Sequence, residues 1–246
     1  MRRVMCCLTL VITVVMLFGF SIGVVGAKKY ELPALDPANF NSPQDNIYFP
    51  MAPKTYVYEA ETEDGLIRNE ITVTTDTKMI LGVTCIVLHD VEREYVEELD
   101  AWFLIEETED WHAWDNDGNV WYFGEATLEY LYDDDWNFIG TSTEGSWEAG
   151  VDDAEPGIIM LADPVPGISY RQEYYEDVAE DMGKVLKLNA RVSVEYGGFD
   201  NCLKTKEWTR LEPGVIEHKY YAPGVGLVFV EELKGKTVRV ELIDIY

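Results

Sequence analysis

Short runs of β-branched and aromatic residues, separated by turn residues, fill the sequence from residue 55 to its end. The strand-like runs are 55–62, 67–75, 79–91, 101–114, 120–131, 145–149, 169–175, 184–194, 202–208, 215–221, 225–233 and 237–245. Asp64-Gly65 predicts a hairpin turn between the first two runs. No long stretch repeats apolar residues every 3.6 positions, and one helical turn or a short helix is predicted only within residues 176–183. The pattern predicts an all-β fold with about ten to twelve strands and little helix, as a single antiparallel meandering sheet curved into a half-barrel or barrel, with a sandwich as the other arrangement.

The first 27 residues have the layout of a signal peptide. Arg2 and Arg3 precede an apolar run over residues 4–20, and the small residues Val25-Gly26-Ala27 predict cleavage after Ala27. We therefore expect an exported protein, periplasmic, cell-surface or secreted. The alternative is an uncleaved anchor, because the 22 mostly apolar residues 4–25 are long enough to span a bilayer.

After the signal peptide, the sequence predicts one domain with an irregular lead. Residues 28–53 contain five prolines and little periodicity, which is typical of loop or edge-wrapping structure. Residues 54–246 are predicted to form a single antiparallel β domain, since about 200 residues can bury one core.

The chain is strongly acidic. It has 19 Lys and Arg against 46 Asp and Glu, a net charge of -27, and loss of residues 1–27 would make this -29. Binding to phosphate groups needs clustered basic residues, so nucleic acid and an anionic membrane surface are excluded as predicted partners. With 47% hydrophobic and 13% aromatic residues, the chain is also too apolar for a disordered acidic tail.

Residues 94–170 combine acidity with tryptophan. They contain no Lys or Arg, 21 Asp and Glu, and six of the seven Trp. One hypothesis is that this segment binds cations, a basic protein partner or sugars stacked on indole rings. The favoured interpretation is that its strands have aromatic inward faces and solvated acidic outward faces.

No motif for catalysis, metal or cofactor is present. The Asp115–Gly118 turn lacks the EF-hand acids expected at positions 113 and 124, and the three His at 89, 112 and 218 lack zinc-site spacing. No nucleophile elbow, Walker loop or dinucleotide fingerprint occurs. We predict no metal, no cofactor and no named catalytic residue. Acids are so abundant that a carboxylate pair for glycoside hydrolysis stays open.

Two cysteines follow the predicted cleavage site. Cys85 and Cys202 each lie in a strand-like run. In an exported protein they could form a disulfide, and buried free thiols are the alternative, since free Cys is among the most buried residue types.

The C-terminal part carries a resemblance to known proteins. The string Tyr-Tyr-Ala-Pro-Gly-Val-Gly-Leu-Val at 220–228, preceded by Lys-Thr-Lys-Glu-Trp at 204–208, resembles a C-terminal signature of uncharacterised exported prokaryotic β proteins. Residues 117–125, 145–151 and 156–160 are similar to stretches of the same group. The resemblance implies export and a half-barrel like that of the lipoprotein-localisation factors. It supplies no activity and no catalytic residue.

These observations predict a non-catalytic envelope or secreted protein that binds a lipid-like, apolar or amphipathic ligand on a concave sheet face. The alternative is an extracytoplasmic saccharide-binding protein or a carboxylate-dependent glycoside hydrolase, and a structural or inhibitor-like partner is a third option. A perturbed carboxylate pair in a cleft would favour the enzyme. The candidate ligand-binding residues are Trp121, Tyr122, Trp147, Trp208, Tyr220 and Tyr221, because Trp and Tyr suit surfaces with one apolar and one wet side.

Overall fold

The computed structural model of the protein describes residues 29–62, 65–233 and 238–246. The predicted signal peptide and Asp64 of the predicted first turn lie outside these residues. Within the described ranges, no helix is both long and apolar enough to cross a membrane.

The described residues form one antiparallel sheet of 15 strands. Its strands are β1 (Lys54–Glu61), β2 (Leu66–Ile80), β3 (Val83–Val96), β4 (Ala101–Trp114), β5 (Val120–Tyr132), β6 (Phe138–Ser142), β7 (Trp147–Glu148), β8 (Glu155–Met160), β9 (Ser169–Arg171), β10 (Glu173–Tyr174), β11 (Asp181–Val194), β12 (Gly197–Thr209), β13 (Glu217–Ala222), β14 (Gly226–Glu232) and β15 (Val238–Ile245). Two short 3-10 helices, Pro37–Phe40 and Glu97–Leu99, are the helical pieces described. The predicted all-β fold with a single meandering antiparallel sheet and little helix is confirmed.

The short helix predicted within residues 176–183 is wrong. Tyr175 and Ala179 pair across a tight turn, and β11 already begins at Asp181. Asp177 has a φ of 59°, in the left-handed region. One left-handed residue ends a helical turn, and Asp tolerates this conformation better than most side chains.

The sheet consists of two meanders joined at the chain ends. β1 to β5 follow one another in sequence order, and so do β11 to β15, while β1 and β15 pair with Tyr56 opposite Ile245. Pairing between the first and last strands joins both meanders into one continuous surface.

The two ends of this sheet meet at one residue, Gln172. β9 lies at one end of the strand order and β10 at the other, yet only Gln172 separates them in sequence. The sheet must therefore curl until its ends adjoin, although no pairing among the described strands closes it into a barrel. Gly157 of β8 allows this approach, because a Cβ there would overlap the carbonyl oxygens of Arg171 and Gln172.

Two groups of buried apolar side chains make up the core. Phe123 and Ile158 are fully buried in one group, and Val228 and Leu242 are fully buried in the other. Cys85 belongs to the first group and Cys202 to the second, and both are buried free thiols.

Residues 29–53 wrap over the curled sheet and position part of the site. The Asn46 side-chain amide donates to the carbonyls of Gly118 (2.8 Å) and Leu161 (3.1 Å). The Trp114 indole N–H donates to the Phe49 carbonyl at 3.0 Å. These bonds hold Phe49 against the interior of the curl.

Candidate functional site

The curled sheet encloses a two-sided cavity of about 320 Å³. Its apolar wall consists of Phe49, Pro50, Tyr56, Tyr58, Ile71, Val73, Leu88, Ile159 and Leu227. Its polar wall consists of Asp110, His112, Tyr122, Glu125, Gln172, Glu173, Asp181, Glu207, Lys219 and Tyr221. The volume lies in the range of small-molecule sites, and a lining that is mainly apolar on β1–β3 and β14 and polar on β4, β5 and β10–β13 suits a ligand with one apolar and one polar end.

A β-bulge brings Tyr122 and Glu125 to the same side of β5. Asp110 pairs with Glu125 and His112 with Tyr122, so two β5 residues face the single residue Trp111. In a regular strand, side chains three positions apart point to opposite faces, and one extra residue corrects the alternation. Gly124 permits the bulge with a φ of 127°, and a Cβ there would overlap the Trp147 carbonyl oxygen.

The Tyr122 hydroxyl joins the two carboxyl groups of this pair. Its oxygen lies 2.6 Å from Asp110 Oδ1 and 3.0 Å from Glu125 Oε2. A phenol carries one proton and can donate to only one of them. A consistent arrangement has Tyr122 donating to ionised Asp110 while protonated Glu125 donates to the phenol oxygen.

The pKa shifts agree with this proton arrangement. Burial raises the pKa of Asp110 to about 6, while the hydrogen bond from Tyr122 opposes the shift. Burial and the negative charge of Asp110 raise the pKa of Glu125 to about 8. Because the two groups interact strongly, they titrate as a pair, and the larger upward shift in the pKa of Glu125 favours one proton held on the Glu125 side of the phenol.

Two further carboxyl groups face this pair from the strands near Gln172. Burial, followed by the charges of Asp181 and Glu125, raises the pKa of Glu173 well above its usual range. Burial also raises the pKa of Asp181, against the opposing charge of Lys219. We call Asp110, Glu125, Glu173 and Asp181 the four-carboxyl cluster.

Lys219 already has two carboxylate partners of its own. Its ammonium nitrogen lies 2.9 Å from Glu207 Oε2 and 3.1 Å from Glu217 Oε2. Glu207 also accepts hydrogen bonds from the hydroxyls of Thr205 (2.8 Å) and Tyr221 (3.3 Å). Burial alone would lower the pKa of Lys219, but Glu207 and Glu217 raise it well above its usual range. The single lysine of the polar wall is thus neutralised by glutamates outside the four-carboxyl cluster.

We expect Lys219→Met to lower the free energy of unfolding by about 3–5 kcal/mol at pH 7, because it leaves the buried charge of Glu207 without its cation. Urea unfolding of the variant measures the loss. Lys187→Met, which removes an exposed lysine of β11, is the matched control and should change stability by less than about 0.5 kcal/mol. Equal losses in the two variants would contradict this account of Lys219.

Two polar side chains of the cavity wall have atoms without a partner among the described residues. Gln172 is 1% exposed and His112 is 5% exposed, and neither Gln172 Nε2 nor His112 Nδ1 makes a hydrogen bond. Burial lowers the pKa of His112 to about 3, so its ring is neutral. Buried polar groups are nearly always hydrogen-bonded, so these two atoms mark positions at which an occupant of the cavity would supply partners.

The structure brings only some of the six predicted binding residues to the cavity. Tyr122 and Tyr221 line it, and Trp147 packs edge-on against Tyr122 with ring centroids 5.4 Å apart. Trp147 is buried and supports the wall from behind.

The other three predicted residues lie elsewhere. The Trp121 indole donates to Asp115 Oδ2 at 2.9 Å, beneath the N-terminal lead. Trp208 adjoins cavity residue Glu207 in β12 and therefore points to the opposite face. The Tyr220 hydroxyl donates to Glu231 at 3.1 Å outside the cavity wall.

The four-carboxyl cluster, Gln172 and Lys219 were missed by sequence reasoning. In a chain this acidic, the sequence does not distinguish an acidic residue that points into a cavity from one that faces solvent. Two local signals were available. Gly124 within a strand-like run indicates a bulge, and Glu217, Lys219 and Tyr221 alternate along one strand, which places them on one face.

The described part of the chain contains no group of three or more His, Cys, Asp or Glu placed to hold a metal ion. The Asp115 carboxylate instead organises its turn. It accepts from the backbone N–H groups of Asp117 and Asn119, at 3.0 and 2.8 Å, and from the Trp121 indole.

No protein-family model matches the chain, and no curated protein is significantly similar to it. Three solved structures match. One is described as a "putative lipoprotein" from Parabacteroides distasonis, with 11% identity and a TM-score of 0.42, covering 82% of this chain and 100% of that one. The second is a "putative exported protein with YmcC-like fold" from Bacteroides fragilis, with 12% identity, a TM-score of 0.39 and coverage of 84% and 98%. The third is a "beta-barrel-like protein" of a domain of unknown function, DUF1849, from Brucella abortus, with 9% identity, a TM-score of 0.40 and coverage of 78% and 96%. Function is therefore argued from the cavity itself.

Proposed function

We infer that this protein is an exported binding protein that holds an amphipathic small molecule in the interior of its curled sheet. The observation that carries this proposal is the cavity, whose lining is mainly apolar on β1–β3 and β14 and polar on β4, β5 and β10–β13. Export is proposed from the signal-peptide layout of residues 1–27.

The apolar wall supports binding of the ligand's hydrocarbon part. Ile71, Val73 and Leu88 come from β2 and β3, and Leu227 faces them from β14. Tyr56 and Tyr58 point into the same space, and their hydroxyls donate to the carbonyls of Val225 (2.8 Å) and Leu227 (2.9 Å). Because these hydroxyls are already bonded, the two rings present apolar surface to an occupant.

We expect the neutral apolar dye N-phenyl-1-naphthylamine to bind the purified protein with increased fluorescence. Ile71→Gln should weaken this binding at least about fivefold, because it puts an amide into the apolar wall. The readout is the dissociation constant from a fluorescence titration, with folding of each variant confirmed by circular dichroism.

Ile67→Gln is the matched control. Ile67 lies four positions from Ile71 on the same face of β2, is also half-buried, and does not line the cavity. It should leave the affinity for the dye unchanged. If the dye does not bind, or if both variants weaken it equally, the cavity is not the binding site.

The Asp110–Glu125 pair favours a second candidate, a carboxylate-dependent glycoside hydrolase. Glycosidases use one protonated and one ionised carboxyl group across the scissile bond, and these two carboxyl groups flank one phenol and have unequally raised pKa values, about 6 and about 8. Release of nitrophenol from a panel of nitrophenyl glycosides, lost in Glu125→Gln, would favour this candidate over binding alone.

A further inference from the structure

The four-carboxyl cluster carries more potential negative charge than the basic side chains of the cavity lining can neutralise. Its acids come from four strands, β4, β5, β10 and β11, and converge on the polar wall. Lys219 is the basic side chain of this wall, and its ammonium group already contacts Glu207 and Glu217. Buried carboxyl groups without a cation remain neutral by holding protons.

A second, independent observation points to an occupant: the polar wall contains a buried polar atom without a hydrogen-bond partner among the described residues. His112 lines the cavity, and its buried Nδ1 has no hydrogen-bond partner among the described residues. Its ring stacks on Tyr122 with centroids 4.8 Å apart. With the proton of the neutral ring on Nε2, Nδ1 is an acceptor that an ammonium group can satisfy.

We propose that the ligand of this cavity is an amphipathic amine, with its protonated nitrogen among the carboxyl groups of Asp110, Glu125 and Glu173 and its carbon chain on the apolar wall. This inference rests on the proposed binding function and adds the class of ligand. An ammonium group supplies the positive charge that the four-carboxyl cluster lacks, and the strongly acidic protein raises the local concentration of cations.

Binding of an amine should release protons from the protein. An ammonium ion keeps its charge at neutral pH, because its pKa lies near that of lysine. It stabilises ionised Glu125 and Glu173, which otherwise hold protons. The other charged or titratable groups that face the cluster are Asp90, Glu106, Tyr122, Glu207, Glu217 and Lys219. Because a proton is released on binding, affinity should rise with pH.

The test compares three ligands of equal chain length, octylamine, octan-1-ol and octanoate, each below its micellar concentration. Isothermal titration calorimetry at pH 6.5 and pH 8 gives the affinities, and buffers with different ionisation enthalpies give the number of protons released. We expect octylamine to bind at least about tenfold more tightly than octanol, and octanoate to bind most weakly. Octylamine affinity should rise about tenfold between the two pH values.

Two variants and a matched control locate the effect. Glu125→Gln and Asp110→Asn should each weaken octylamine about tenfold and leave octanol unchanged. Glu109→Gln removes the same charge from the exposed neighbour of Asp110 on β4, and should leave both ligands unchanged.

The outcomes separate this inference from the function on which it rests. If the naphthylamine dye binds but octylamine binds no more tightly than octanol, the amine proposal is wrong while the proposed binding function stands. If neither the dye nor any octyl compound binds, both are wrong. Equal weakening of octylamine by Glu109→Gln and Glu125→Gln would also overturn the amine proposal, since it would show a general charge effect.

Discussion

The free energy of unfolding should fall as pH rises from about 4 to about 8, and Glu125→Gln should remove much of that fall. The pKa of Glu125 is raised to about 8 in the folded protein, whereas an exposed Glu titrates at its ordinary value near 4.5. Between these pH values the folded state holds a proton that the unfolded state has released. Stability therefore decreases with pH, by roughly 4 kcal/mol from this group alone.

Asp110 adds to this dependence over a lower range. Its pKa is raised to about 6, so its contribution falls between about pH 4 and pH 6. Urea unfolding at half-unit pH steps gives the profile. Glu109→Gln, the exposed neighbour, should reproduce the wild-type profile. Parallel profiles for the wild type and Glu125→Gln would show that Glu125 titrates normally and would contradict the described proton arrangement.

Gly124→Ala should lower the free energy of unfolding by about 3 kcal/mol or more. Gly124 has a φ of 127°, where a Cβ is strained, and the added carbon would overlap the Trp147 carbonyl oxygen, which belongs to the backbone and cannot turn away. Relief requires loss of the β5–β7 pairing or of the bulge itself.

The same substitution should change the site. Without the bulge, Tyr122 and Glu125 return to opposite faces of β5. A folded fraction of Gly124→Ala should therefore lose the pH dependence attributed to Glu125. Gly198→Ala is the control, since a Cβ at this β12 position meets nothing within 4 Å, and it should change stability by less than about 1 kcal/mol. Similar losses in both variants would contradict the role assigned to Gly124.

The strands themselves were largely predictable from local pattern. The run predicted over residues 120–131 is β5 (Val120–Tyr132), and the run over 184–194 lies within β11 (Asp181–Val194). β-branched and aromatic side chains bounded by turn residues favour strands whatever their partners. Pairing of β1 with β15 was not predictable in this way, because strand order depends on contacts between residues nearly 190 positions apart.

The site was not predictable from the same pattern. Alternation along β4 puts Asp110 on the face of His112, but it does not say whether that face meets solvent or a cavity. The bulge at Gly124 then reverses the alternation in β5, so a regular count from Tyr122 places Glu125 on the wrong side. The six aromatic residues were selected from the sequence by ring type alone. In the structure, Trp147 supports the cavity wall from behind, and Trp121, Trp208 and Tyr220 lie away from the cavity.

An amphipathic ligand should occupy the interior of the curled sheet with its polar end on the four-carboxyl cluster. A crystal structure of the protein grown with octylamine would locate it. Electron density for the alkyl chain is expected against Tyr58, Ile71 and Leu88, with the nitrogen within about 3 Å of a carboxyl oxygen of Asp110 or Glu125. Octylamine bound only on the outer surface, or bound with its chain against the carboxyl groups, would contradict it.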